Sequence, residues 1–403
     1  MTPRERYYNT IHFLPTDRFT YSFGGPRQST LDAWEYQGLD RDAAWGELIG
    51  QDPRAGLPLN NLPDPPFEER TLETQGDKRI WIDNLGATRI DETHPTTPGF
   101  VTRRWLRFPV ENRADYEEMK ERHLPDSPGR VPENIKEIRK NLDPATRRGI
   151  LGVTVQGPFW KVRDWVGFEN LCLLCADDPG WVREMFDFAC DFAIENLRGR
   201  IEGLEVDHLF VNEDMAYKHA SMISPQMVRE LMFPGYRRLL DFLRSAGVRN
   251  IIMDCDGHIG QLIPLWIETG FHGTWPCEIA ALNDPVVYRK EYGTDIAFLG
   301  CIDKRELRFG FEQVKAEIMG KVPFLMEKGG FVPGVDHGVP PDVPVRNYFY
   351  MCELLKALAE GRDVDKVDID RYQDVLGPIR EDWSMELSRR LISRYIHEEE
   401  GET

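Results

Sequence analysis

Along the second half of the chain, short apolar runs alternate with longer amphipathic stretches. A period near two gives way repeatedly to one near 3.6, the pattern of βα units on a parallel sheet. Asp207–Asp214 reads as a strand that ends in acids. A helix follows over Met227–Leu243, with Ser224 as N-cap, Pro225 at the first helical position and Gly247 closing it. The unit then recurs. Strands are predicted at Asn250–Asp256, Gly273–Glu278, Ile296–Asp303 and Gly329–His337. The matching helices cover Ile259–Thr269, Asp284–Tyr292, a stretch ending near Lys328, and Val345–Glu360. Gly149–Gln156 is a further strand. Residues 24–148 are irregular. There a first strand at about Arg18–Tyr21 runs into the glycine-rich Ser22–Arg27, a second is predicted within Arg54–Asn61, Thr71–Glu92 reads as a hairpin or meander, and Pro109–Leu124 looks helical. The expectation is an α/β fold, a (β/α)8 barrel of one domain over residues 1–403, with 24–148 as an insertion covering one mouth.

The 403 residues are enough to bury a large core without staples. Sixty-eight acids against 50 bases give a net charge of -18, which excludes nucleic acid as the expected partner, because phosphate binding needs a basic face. The seven cysteines, an odd number with no framework spacing, read as reduced thiols. Cys172 and Cys175 form a CxxC inside an apolar run and fit a packed helix face. No stretch has the length of a membrane span or an export signal, so a cytoplasmic chain with no membrane partner is expected.

Candidate chemistry gathers at the strand ends. Glu213 and Asp214, Asp254 and Asp256, Glu278, Asp303, and Asp336 with His337 all fall there. In a parallel barrel these ends share one face. Acids at strand ends also cap following helices, a reading that suits Asp303 and Asp256. Alternate strand residues point the same way, so Asp254 and Asp256 could face one ion while Cys255 packs behind them. Glu278, Glu213 and Asp214 are candidates for acid–base work. Trp160, Tyr217 and Trp275, with His219 and His258, are candidates to line a substrate pocket, although ordinary packing explains each taken singly. His12, His94, His123, His208, His272 and His397 form no pattern.

Three blocks carry a resemblance. They are ISPQMVRELMFPGYRRLLDFLRSAG over Ile223–Gly247, FVNEDM over Phe210–Met215, and GGFVPGVDHGVPPDVPVRNY over Gly329–Tyr348. Together they make residues 149–360 similar to the uroporphyrinogen decarboxylase superfamily. That resemblance implies one of two chemistries: cofactor-free decarboxylation, or zinc-dependent methyl transfer involving corrinoid proteins or thiols. The decarboxylase branch carries an Arg-Gln-Ala-Gly-Arg motif whose arginines hold substrate carboxylates. Here the stretch is GGPRQST, and only Arg27 remains. The methyltransferase branch carries His-x-Cys and a later Cys as zinc ligands. Those positions fall on Asp254-Cys255-Asp256 and His337. The resemblance thus implies a metal site with hard ligands (Asp254, Asp256, His337) for zinc or another divalent ion. It also implies a corrinoid (cobalamin) on a partner protein as methyl acceptor. The donor would be a small methylated compound such as an aryl methyl ether, with Arg27 at the substrate. A decarboxylase and a non-catalytic barrel subunit stay open as rivals, and a homodimer stays open as the oligomeric form.

Overall fold

The computed structural model describes residues 1–92 and 104–388. His94 and His397 lie outside them. In chain order the strands are β1 (Arg54–Gly56), β2 (Arg70–Gln75), β3 (Lys78–Ile82), β4 (Thr88–Glu92), β5 (Arg104–Arg107), β6 (Ile150–Gln156), β7 (His208–Asn212), β8 (Ala216–Tyr217), β9 (Ala220–Ser221), β10 (Ile251–Asp254), β11 (Gly273–Trp275), β12 (Ala297–Ile302) and β13 (Phe331–Val335). A seven-stranded parallel sheet runs β1-β6-β7-β10-β11-β12-β13. Helices on its outer face include Pro179–Leu197, Phe233–Ser245 and Val345–Glu360. One apolar core, from Phe19 to Tyr372, lies between these helices and the sheet.

The strands expected in the C-terminal half form close to where the pattern puts them. Ser224 Oγ accepts the Met227 N–H at 3.1 Å, as an N-cap should. The following helix carries a π turn at Val228–Met232, which the sequence pattern does not announce. The eighth regular strand, expected at Arg18–Tyr21, does not form. In its place an extended segment bridges the two edges of the sheet. Asp52 N–H donates to Tyr21 O at 3.0 Å on the β1 side, and Val335 N–H donates to Phe23 O at 3.0 Å on the β13 side. The segment is irregular because Gly24 breaks it. Gly24 takes φ +85°, and a Cβ there would stand 2.2 Å from Val335 Cγ2. The glycine-rich run is what lets the chain pass this close to β13.

One end of the barrel is plugged. The helix Pro3–Ile11 starts at a Thr2–Glu5 capping box. It sends Tyr7 and Ile11 against Ile150, Ile252, Ala297, Leu299 and Val332. Side chains in register with these point inward. Thr154, in register with inward-facing Phe210, is nevertheless exposed, and so are Arg54 and Gly56. The inner wall is therefore open at Gly56 and Thr154, whereas the His208 ring fills the space over Gly152, where a Cβ would stand 2.6 Å from its Nε2.

Within residues 24–148, β2 to β5 form a separate four-stranded antiparallel sheet, one strand more than the meander expected over Thr71–Glu92. The helix in Pro109–Leu124 covers Arg113–Glu121. The segment after β1 reaches the C-terminal end of β6, where Asn61 Nδ2 donates to Thr154 O at 3.2 Å. No described helix is long and apolar enough to cross a membrane.

If Gly24 is what admits the bridging segment, Gly24→Ala should cost about 2–4 kcal/mol, from the positive φ and the contact with Val335. Urea unfolding measures it. A loss under about 0.5 kcal/mol, the range of an ordinary surface change, would show that the edges close by other means.

Candidate active site

The open end of the barrel is the C-terminal face, where the loops after the strands bring charged side chains together. After β7 the chain gives Glu213 and Asp214. After β10 come Cys255 and Asp256, after β11 Glu278, after β12 Asp303 and Lys304, and after β13 Asp336 and His337.

His337 is the hub. Its Nδ1 lies 2.7 Å from the Gly338 N–H and 3.1 Å from Arg27 Nη2. Both groups can only donate, so Nδ1 accepts and the proton of the neutral ring is assigned to Nε2. Nε2 faces Asp256 Oδ2 at 3.3 Å. The imidazole lies against Trp275, ring centroids 5.9 Å apart, and Trp275 is 6.0 Å from Phe210.

Asp214 and Asp254 stand beside Asp256. Asp214 Oδ1 accepts the Asp256 N–H at 3.2 Å, and Asp214 itself holds φ +43°. Its carbonyl accepts from Arg163 at 2.8 Å. Burial, and then the charge of Asp256, raise the Asp214 pKa. Burial raises that of Asp254 further, with Asp256 and Asp214 adding to it. Among the described residues no hydrogen-bond donor reaches the Asp254 carboxyl. Asp254 keeps partial exposure even though protein surrounds it. Burial and the two neighbouring carboxylates all favour its protonated form.

A second cluster lies alongside. Lys304 Nζ is 3.2 Å from both Glu278 and Asp336. Asp336 is fully buried and also accepts the Ile279 N–H at 2.9 Å. Glu278 accepts the Gly257 N–H at 3.3 Å. A cleft of about 390 Å³ opens here, lined by Tyr217, Lys218, Asp256, Glu278 and Arg305.

The remaining candidates are dispersed. Glu213 is sunk below the mouth. It accepts the Phe159 and Trp160 N–H groups at 2.9 and 3.1 Å, at the start of the helix Pro158–Val166, and it bonds the Tyr236 hydroxyl. Its pKa is pushed up to about 8 by burial, against those three hydrogen bonds. His258 is turned away: its Nδ1 meets Ala281 O at 2.9 Å. His219 is exposed on the β8–β9 hairpin, whose Tyr217, also exposed, does line the cleft beside Asp256 and Glu278. Trp160 borders Asp164 and lies under the Arg163 guanidinium. Asp303 is tied to Arg305 and to the Arg305 N–H, the local capping role expected of it. Asp256 does not cap a helix but faces His337.

Asp254, Asp256 and His337 are neighbours, yet they do not make a ligand shell. Among the described residues no three His, Cys, Asp or Glu side chains converge so as to hold a metal ion. The hydrogen bonds of His337 explain part of this. Ligation through Nε2 would force the ring proton onto Nδ1, into two opposing donors, whereas a metal-bound imidazole normally gives that proton to an acceptor.

Sequence reasoning missed Lys304 and Arg163. Lys304 follows the strand-end Asp303 directly, and a search of strand ends for cations as well as acids finds it.

The family model of uroporphyrinogen decarboxylase (URO-D) matches residues 105–358. A comparison with curated proteins finds no match. Among solved structures, a methyltransferase from Methanosarcina mazei is similar at a TM-score of 0.57 and 14% identity, over 90% of this chain and 99% of that one. At that identity the likeness is one of fold.

Burial of Glu213 makes a stability prediction. Its pKa rises from 4.5 to about 8 on folding, so between those values the native state binds the extra proton. The Glu213 contribution to stability is then fully present below pH 4.5 and is lost as pH climbs to about 8, at up to about 1.4 kcal/mol per unit. Glu213→Gln, which mimics the protonated form, should flatten that slope and raise stability at pH 8.5 relative to wild type. Urea midpoints at pH 6 and 8.5 measure both. Parallel slopes for the two proteins would mean Glu213 is ionised in its pocket.

Proposed function

We propose, from the premise that the chain belongs to the uroporphyrinogen decarboxylase family, that it transfers a methyl group from a small methylated donor to the cobalt of a corrinoid protein. An aryl methyl ether is the donor that suits the chamber. One observation carries the reading: the inner mouth sets an aromatic wall, Phe210 and Trp275, against the carboxyls Asp254 and Asp256. Such a wall seats a flat apolar ring, and a carboxyl beside it can serve the leaving atom. The methyl carbon goes to the acceptor, the C–O bond breaks, and the leaving oxygen takes a proton from Asp254. That proton meets charge that appears only as the bond breaks, so it acts on the transition state more than on the bound donor. The Asp256–His337 pair fixes Trp275 and the rim. No step is routed through a metal, because the described side chains do not gather to hold one.

Decarboxylation of a polycarboxylate fits the mouth less well. It needs several cations, because each buried carboxylate left unpaired costs several kcal/mol. Lys304 is already held by Glu278 and Asp336, and Arg27 lies on His337.

Asp254→Asn should lower the rate of methylation of cob(I)alamin by 10²–10⁴-fold, the usual contribution of a general acid, with little change in donor KM. The assay follows methylcobalamin by absorbance with a panel of methoxylated aromatics. Turnover of the variant within threefold of wild type would remove Asp254 from the chemistry. Carbon dioxide released from a porphyrinogen, with no methyl transfer from any donor, would put the decarboxylase reading in its place.

A further inference from the structure

At the open end of the sheet, four neighbouring strands present one level of side chains to the interior. Gln156 of β6 pairs with Asn212 of β7, Asn212 with Asp254 of β10, and Asp254 with Trp275 of β11. Alternation along β7 fixes the direction of Asn212. His208 and Phe210, four and two residues before it, both turn inward: the His208 ring centroid is 5.4 Å from that of Tyr7, and Phe210 is 6.0 Å from Trp275. Asn212 therefore faces the same space.

Two amides stand in this row, and one of them is committed. Lys161 Nζ lies 2.9 Å from Gln156 Oε1 and can only donate, so that end of the amide is assigned as the oxygen. Gln156 Nε2 then donates to Asp164 at 2.9 Å. Asn212 has no such ties. Its backbone carbonyl accepts the Gly157 N–H at 2.7 Å, but among the described residues no group hydrogen-bonds its side chain. The residue keeps partial exposure, as Asp254 does. A free amide thus stands next to a carboxyl without a donor, beside Phe210 and Trp275. Neighbouring strands lie about 4.8 Å apart. One oxygen atom of a ligand between the two side chains can reach both at the usual hydrogen-bond length of about 2.9 Å.

We propose that the Asn212 amide donates a hydrogen bond to the oxygen that leaves when the methyl group is transferred, opposite the Asp254 proton. The inference deepens the methyl-transfer reading and rests on it for the identity of that oxygen. As the C–O bond breaks, its electron pair stays on the oxygen, and the methyl carbon goes to the acceptor cobalt, which supplies the pair for the new bond. Asp254 gives the oxygen a proton, and Asn212 keeps its own. The amide is uncharged, so it serves the oxygen without altering the balance among the three aspartates. Its hydrogen bond strengthens as negative charge develops, which makes it a contact to the transition state more than to the bound ether.

Two comparisons test the contact. The first needs no turnover. 4-Cyanophenol and benzonitrile, the same ring without the oxygen, are titrated calorimetrically into the full chain. Asn212→Ala should weaken 4-cyanophenol about tenfold, the upper range for one hydrogen bond, and leave benzonitrile within about twofold. Asn212→Leu, which keeps the bulk and lacks the donor, should match Asn212→Ala. Unfolding midpoints check both variants, and if one is unfolded, the other decides. No binding of 4-cyanophenol by wild type, a loss under about threefold, or an equal loss for benzonitrile overturns the contact.

The second comparison follows methylation of cob(I)alamin by 4-cyanoanisole and 4-methylanisole, whose parent phenols differ in acidity. Asn212→Ala should lower kcat for 4-methylanisole, the poorer leaving group, by about 10²–10³-fold, the usual cost of one oxyanion donor. The loss for 4-cyanoanisole should be at least about fivefold smaller, because less charge has to be stabilised. A structural disturbance lowers both rates alike, so equal losses remove Asn212 from the chemistry. Asn212-dependent binding of 4-cyanophenol without methyl transfer from any donor leaves the contact standing and removes the methyltransferase reading. Methyl transfer at equal rates in wild type and Asn212→Ala does the reverse.

Discussion

Three aspartates crowd together at the open end of a parallel sheet, with one imidazole on Asp256 and the Arg163 guanidinium near Asp214, and burial there disfavours their charge. Most of the site follows from that crowding. Asp256 takes His337, Asp214 takes a backbone N–H, and Asp254 is left without a donor, its pKa raised by burial and by the other two. Mutual repulsion and burial act in the same direction here, so neither has to be large alone. The neighbouring Glu278–Lys304–Asp336 cluster shows the opposite solution, in which one cation between two acids keeps a buried carboxylate satisfied. The two clusters sit on adjacent strand ends yet have different electrostatic character, and only the first is short of counter-charge.

The hollow behind the acids has an equally simple origin. Strands β1 and β6 place Gly56 and Thr154 on the inner wall, where a barrel usually carries branched side chains. At the plugged end, Tyr7, Ile150, Ile252, Leu299 and Val332 do fill the space. The barrel is thus a packed core at one end and a chamber at the other. At the rim, Lys304 and Arg305 meet Glu278, Asp336 and Asp303, while Asp254 meets no cation.

Glu213 shows how far a strand-end acid can be from chemistry. It follows β7 by one residue and looks, in sequence, much like Asp214. The chain turns sharply at Asp214, with its positive φ, and this sends the two side chains to different places. Glu213 goes under the first turn of the helix Pro158–Val166, where the free N–H groups receive it. A Cβ on Gly157 would stand 2.2 Å from the Glu213 Cδ, so the glycine is part of that pocket.

The sequence by itself determined the alternation of strands and helices, their order, and which polar residues stand at strand ends, because those depend on local periodicity and on caps such as Ser224. It also marked His337 and the aspartates around it. Only the tertiary structure decided which acids share a space, which nitrogen of His337 faces Asp256, and that Glu213 is buried while Asp254 opens on the chamber. It likewise replaced the first regular strand with a bridging segment. These depend on register between strands distant in the chain, and on side-chain contacts that no local pattern encodes.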